Sequence, residues 1–167
     1  MDSHTKKTAW LGMFLAFALI LGYVEALIPF SFGIPGIKLG LANLAVLLAL
    51  YRMGKKEAFL IDILRIVLNG FLFGNLYSIL YSMAGGILSF GIMVFLKKTG
   101  RFGMTGVSMA GGVFHNIGQL LVAAAVVETG GIFYYIPPLL IAGVGTGFLI
   151  GIVSQQVLNR VFQDNER

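Results

Sequence analysis

The densest run of chemically capable side chains in this sequence is His115-Asn116-Ile117-Gly118-Gln119. At i, i+4, His115 and Gln119 share one helix face, and Asn116 and Gln119 at i, i+3 share the stripe beside it. Imidazole and carboxamide groups each donate and accept, so this face suits either hydrogen bonding to a small molecule or bonding between helices. A second pair, Asp62 and Arg65, stands three apart on one face. The two can cancel each other's charge inside an apolar environment, or leave Arg65 to meet an anionic ligand. Glu25, Lys38, Asn43 and Asn75 complete the polar set. Our reading gathers His115, Asn116, Gln119, Asn43, Asn75, Lys38 and Glu25 into one substrate-binding cavity. Glu25 and Lys38 flank a connecting loop, so both could also simply face water.

The chemistry these residues do not offer is equally informative. Aspartate occurs at Asp2, Asp62 and Asp164 only, which leaves no acidic pair to hold Mg²⁺ on a diphosphate. There is no His-Glu-x-x-His, no Gly-x-Ser-x-Gly and no glycine-rich loop closed by Lys-Ser/Thr. Cysteine is absent, which removes disulfides and thiolate metal sites. No nucleophile and base stand together, so we expect no enzyme, no catalytic set, no metal and no cofactor.

The elements that must position the polar residues follow from composition. Of 167 residues, 57% are hydrophobic and 11% are charged, too few charges to coat a water-facing surface. We read an all-α, polytopic membrane protein, one membrane-embedded domain over residues 1–167 with six transmembrane helices in one bundle. The expected helices are about 8–28, 39–53, 57–74, 76–96, 104–127 and 136–158, the second being short for a span. The first is read as a retained helix rather than a leader, because Glu25-Ala26-Leu27-Ile28-Pro29 offers no small-x-small cleavage site.

Ten of the twelve basic residues fall on one side of that six-helix path: Lys6, Lys7, Arg52, Lys55, Lys56, Lys97, Lys98, Arg101, Arg160 and Arg167. The positive-inside rule then places both termini in the cytoplasm of a cell-membrane protein. It also accounts for the net charge of +5 without nucleic acid. The opposite loops, Pro29–Gly36 and Glu128–Pro138, are apolar, aromatic and rich in turn residues. They suit a headgroup belt, a pair of lids over a pocket, or both. Ser82-Met83-Ala84-Gly85-Gly86 recurs as Ser108-Met109-Ala110-Gly111-Gly112. With Gly143, Gly145, Gly147 and Gly151, these segments read as seams where helix backbones approach closely.

Glu25-Ala26-Leu27-Ile28-Pro29 and Pro35-Gly36-Ile37-Lys38-Leu39-Gly40-Leu41-Ala42-Asn43-Leu44 resemble the "heptaprenyl diphosphate synthase component I" membrane family, also labelled Gx transporter. So do Phe73-Gly74-Asn75, Tyr81–Gly86 and Gly112–Gln119. That family is similar in architecture to the substrate-binding S components of energy-coupling factor (ECF) vitamin transporters. The resemblance implies six helices with both termini inside and a small molecule bound near the outer face under the 1–2 and 5–6 loops. It further implies docking on a transmembrane T subunit and two cytoplasmic ATPases. S components often carry Ala-x-x-x-Ala in helix 1 for that docking. Here the place is taken by Ala9, Gly12 and Ala16, with Gly12-Met13-Phe14-Leu15-Ala16 as the small-x-x-x-small unit. The expected function is thus a binding subunit for small-molecule uptake. The alternative is a non-catalytic membrane subunit of an isoprenoid, quinone or flavin-linked redox assembly. A catalytic prenyl diphosphate synthase would need Asp-Asp-x-x-Asp motifs that this chain lacks.

Overall fold

The computed structural model describes residues 3–27, 40–127 and 130–162. These form six α-helices and no strand: α1 (Ser3–Leu27), α2 (Leu41–Arg52), α3 (Lys55–Phe73), α4 (Leu76–Thr99), α5 (Met104–Val127) and α6 (Ile136–Val157). A 3-10 turn, Gly130–Tyr135, leads into α6, and a wider π turn, Leu158–Phe162, follows it. Lys38 lies outside the described residues, as does most of the first loop.

The turns use residues that their backbones require. Gly54 joins α2 to α3 at φ 112°, and Gly100 ends α4 in the left-handed region at φ 66°. Asn75 opens α4: its side chain accepts from the Ser78 amide, and Ser78 Oγ accepts from the Asn75 amide, each at 2.9 Å. Pro137 and Pro138 sit in the first turn of α6, where no intrahelical donor is lost.

An all-α, membrane-like bundle is what the sequence led us to expect. The expected six spans are a different matter. Among the described residues, four helical stretches have the length and apolarity to cross a bilayer: His4–Leu27, Leu76–Thr99, Met104–Val126 and Gly131–Val161. Helix α3 is long enough but carries Lys55, Lys56, Glu57, Asp62 and Arg65. Helix α2 has 12 residues, about 18 Å at 1.5 Å each, well short of a ~30 Å hydrocarbon core.

That short helix is the most enclosed element. Ala42 and every residue from Leu44 to Leu50 are buried. A helix apolar on all faces must be covered on all faces, and α1, α3 and α6 surround it. The core is built around it from Phe14 of α1, Ile61 of α3, Phe90 and Met93 of α4, Val107 of α5 and Ile150 of α6. Outside, Ile20, Phe71, Ile87, Phe95, Leu121 and Ile141 form an exposed apolar perimeter of the kind lipid covers.

Helix α5 runs between α4 and α6 and contacts both extensively. Glycine permits this. A Cβ on Gly147 would lie 2.6 Å from the Met109 Cα, and one on Gly118 would lie 2.7 Å from the Ala84 carbonyl oxygen. The two Ser-Met-Ala-Gly-Gly copies therefore sit at helix contacts, with Gly85 against α5 and Gly112 against α6.

Candidate functional site

The end of α1, the start of α2, the end of α3, the start of α4 and the middles of α5 and α6 surround a cavity of about 390 Å³. Its wall begins beside the α3–α4 turn, at Phe73, Gly74 and Ser78, and runs down α4 and α5 as far as Met93 and Ser108. Its wall is unusually polar for a bundle with this exterior. Glu25, Asn43, Arg65, Asn69, His115, Asn116 and Gln119 line it, with the hydroxyls of Ser78, Ser82, Ser89, Ser108 and Thr146.

One wall residue, Arg65, belongs to an ion pair with Asp62 behind it. Arg65 donates to Asp62 Oδ1 from Nε at 3.0 Å and from Nη2 at 2.6 Å. Asp62 is 2% and Arg65 7% exposed, so each neutralises the other in a place where a lone charge would be costly. Arg65 Nη2 also donates to Asn43 Oδ1 at 2.5 Å, which ties α3 to α2. Also in the wall, Asn116 Nδ2 of α5 donates to the Leu139 carbonyl of α6 at 2.7 Å. Glu25 Oε1 accepts the Gly40 amide at 2.6 Å and so joins the end of α1 to the start of α2. Asn69 Oδ1 is buried without a hydrogen-bond partner among the described residues.

Of the seven residues assigned to the cavity from sequence, the structure brings Glu25, Asn43, His115, Asn116 and Gln119 to one wall system. Asn75 is not part of it: the residue is exposed and its side chain caps α4. Lys38 falls outside the described residues. Asn69 and the serines were not assigned, yet periodicity carries a signal for them. Asn69 follows Arg65 by four, and Ser82 and Ser89 follow Ser78 by four and eleven, so each set lies along one helix face.

The expected docking residues stand elsewhere. Ala9, Gly12 and Ala16 are all exposed on α1, and a Cβ on Gly12 would meet nothing within 4 Å. At the basic end, Lys7 pairs with Glu57 at 2.5 Å, holding the start of α1 to the start of α3. Among the described residues no group of three His, Asp or Glu side chains could hold a metal ion.

The sequence model of the family described as "Heptaprenyl diphosphate synthase component I" matches residues 14–157. This chain belongs to the component I family. No curated protein and no solved structure matches it. The component I match takes in every residue of the cavity wall, from Gly22 to Ile150. Ala9 and Gly12 precede it.

Proposed function

We propose that this component I protein is a membrane-embedded binding subunit that captures a small molecule and works with an ATP-driven module for uptake, as ECF S components do. The observation that carries this reading is the cavity: about 390 Å³, within the ~300–1,000 Å³ range of small-molecule sites, with a polar wall drawn from six helices of an apolar bundle. Polar groups at membrane depth must converge on protein, water or ligand. The basic turns at the opposite end, with Arg52, Lys55, Lys56, Lys98 and Arg101, support a cytoplasmic assignment for that end. In a cell membrane so oriented, both termini are inside and the cavity half faces outward. The exposed Ala9, Gly12 and Ala16 face is the proposed contact for a T subunit, with the ATPases beneath.

A second reading is favoured by the family's name. A "component I" implies a second component, and the chain would then be the non-catalytic membrane subunit of an isoprenoid-handling assembly.

Native mass spectrometry of the detergent-purified protein tests the first reading. A small molecule should co-purify with the wild type and be lost in Asn116→Leu, which removes a donor and an acceptor at similar volume. An empty wild-type protein that instead restores prenyl diphosphate synthesis to a separate synthase chain decides for the second.

A further inference from the structure

At the basic end of the bundle, the start of α1, the end of α2 and the start of α3 meet around an open cleft of about 330 Å³. Lys7, Trp10, Arg52, Met53 and Glu57 line it. Glu57 pairs with Lys7 at 2.5 Å, so those two charges cancel and Arg52 leaves the cleft net positive. The surroundings add to that charge. Counted along the sequence, the two termini and the helix ends flanking the α2–α3 and α4–α5 turns carry ten basic residues. Against them stand Asp2, Glu57, Asp164 and Glu166, a balance of +6. The terminal carboxylates outside the described residues are already in that count.

The cleft adjoins apolar surface. Leu60 and Leu64 follow Glu57 by three and seven along α3, so they share its face, and both are exposed, at 47% and 39%. Trp10 adds an amphipathic ring of the kind that sits at headgroup depth. A cationic rim, an indole beside it and an apolar strip along one helix match the parts of a phospholipid. A soluble anion would use the rim and leave the strip idle. On α1, at about 100° per residue, Lys7 and Trp10 lie across the helix from Ala9, Gly12 and Ala16, so the cleft and the proposed docking face do not compete.

We propose that this cleft binds an anionic phospholipid, its phosphate seated against Arg52 and Lys7 and an acyl chain laid along Leu60 and Leu64. The positive balance discriminates against zwitterionic headgroups, whose ammonium meets the same cations. In the orientation proposed above, the cleft lies at the cytoplasmic leaflet, where anionic lipids and basic residues attract.

Native mass spectrometry of the full chain in detergent tests it, with phosphatidylglycerol and phosphatidylcholine of identical acyl chains offered in equal amounts. Phosphatidylglycerol should be retained in preference. Arg52→Gln should weaken that lipid about fivefold, the effect of one basic residue at a lipid surface, and leave phosphatidylcholine unchanged. Glu57→Gln releases Lys7 and should tighten phosphatidylglycerol by about as much, a gain that a damaged fold cannot produce. If Arg52→Gln does not fold, the Glu57→Gln arm decides. Arg101→Gln removes an equal charge from the α4–α5 turn, outside the cleft, and should change neither lipid. Equal retention of both lipids, or phosphatidylglycerol indifferent to both cleft variants, overturns the proposal. Equal weakening by Arg52→Gln and Arg101→Gln overturns it too, because attraction is then diffuse and needs no site. Displacement of phosphatidylglycerol by an equal concentration of inorganic phosphate makes the cleft a site for free anions, and the lipid assignment falls.

Discussion

Asp62 and Arg65 show how a charged pair is kept inside an apolar bundle. Both Arg65 contacts fall on one carboxylate oxygen, and a third bond runs to Asn43. Removing one partner leaves the other buried and uncompensated. Asp62→Ala is therefore expected to cost about 3–5 kcal/mol, read from denaturant unfolding of the purified protein. The paired change Asp62→Leu with Arg65→Met should recover much of that loss, because no charge is then stranded. A double variant as unstable as the single one would show that packing, not charge, is at stake. Asn75→Ala makes the opposite case. It deletes a cap and should cost about 1 kcal/mol while ligand binding is untouched. The pairing of Asp62 with Arg65 was legible from three-residue spacing alone. Asn75 was assigned to the cavity because an amide in an apolar chain invites a ligand role, whereas the structure shows its side chain capping α4. The Asn-x-x-Ser spacing to Ser78, a helix-start signature, was present in the same sequence and explains it better.

Hydropathy marks helices well, because a bundle in lipid is apolar outside as well as inside. For the same reason it says little about which face of each helix points inward. That is why the all-α class was legible while the central position of α2 was not: its 12 residues look like a truncated span, and only neighbours on every side turn them into a core helix. Glycine spacing recovers part of the missing information. Gly143, Gly147 and Gly151 recur every four residues and line the α5-facing stripe of α6, whereas Gly145 is off that stripe with nothing within 4 Å of its Cβ position. Gly147→Leu should push α5 and α6 apart at the Ser108–Met109 backbone. A loss of at least about 1–3 kcal/mol is expected, seen as a lower melting temperature or a broadened size-exclusion peak. Gly145→Leu places the same bulk on the open face and should leave both unchanged. Equal damage from the two would mean that helix propensity, not close approach, governs α6.

At the scale of the whole molecule, the cavity and the small-residue face of α1 lie in different parts of the bundle, and this separation makes the uptake reading testable in two halves. Polar residues scattered over five segments were the clue to the cavity, since each must find a partner somewhere away from lipid. Their common wall depends on how the helices are rotated, which spacing alone does not determine. The α1 face is the reverse case: Ala9, Gly12 and Ala16 are legible as a stripe, but only the structure places them outside. Because a Cβ on Gly12 meets nothing, Gly12→Leu should leave the isolated protein's stability within about 0.5 kcal/mol of wild type. It should also leave ligand binding in the cavity unchanged. Assembly with a membrane partner that packs its backbone against α1 should instead be lost, because small residues are what allow that approach in lipid. The measurements are melting temperature and ligand titration on the purified chain, set beside co-purification of co-expressed T subunit and ATPases. A partner complex that survives Gly12→Leu at full yield removes this face from the docking surface. A variant that melts early would show instead that α1 uses Gly12 within its own fold.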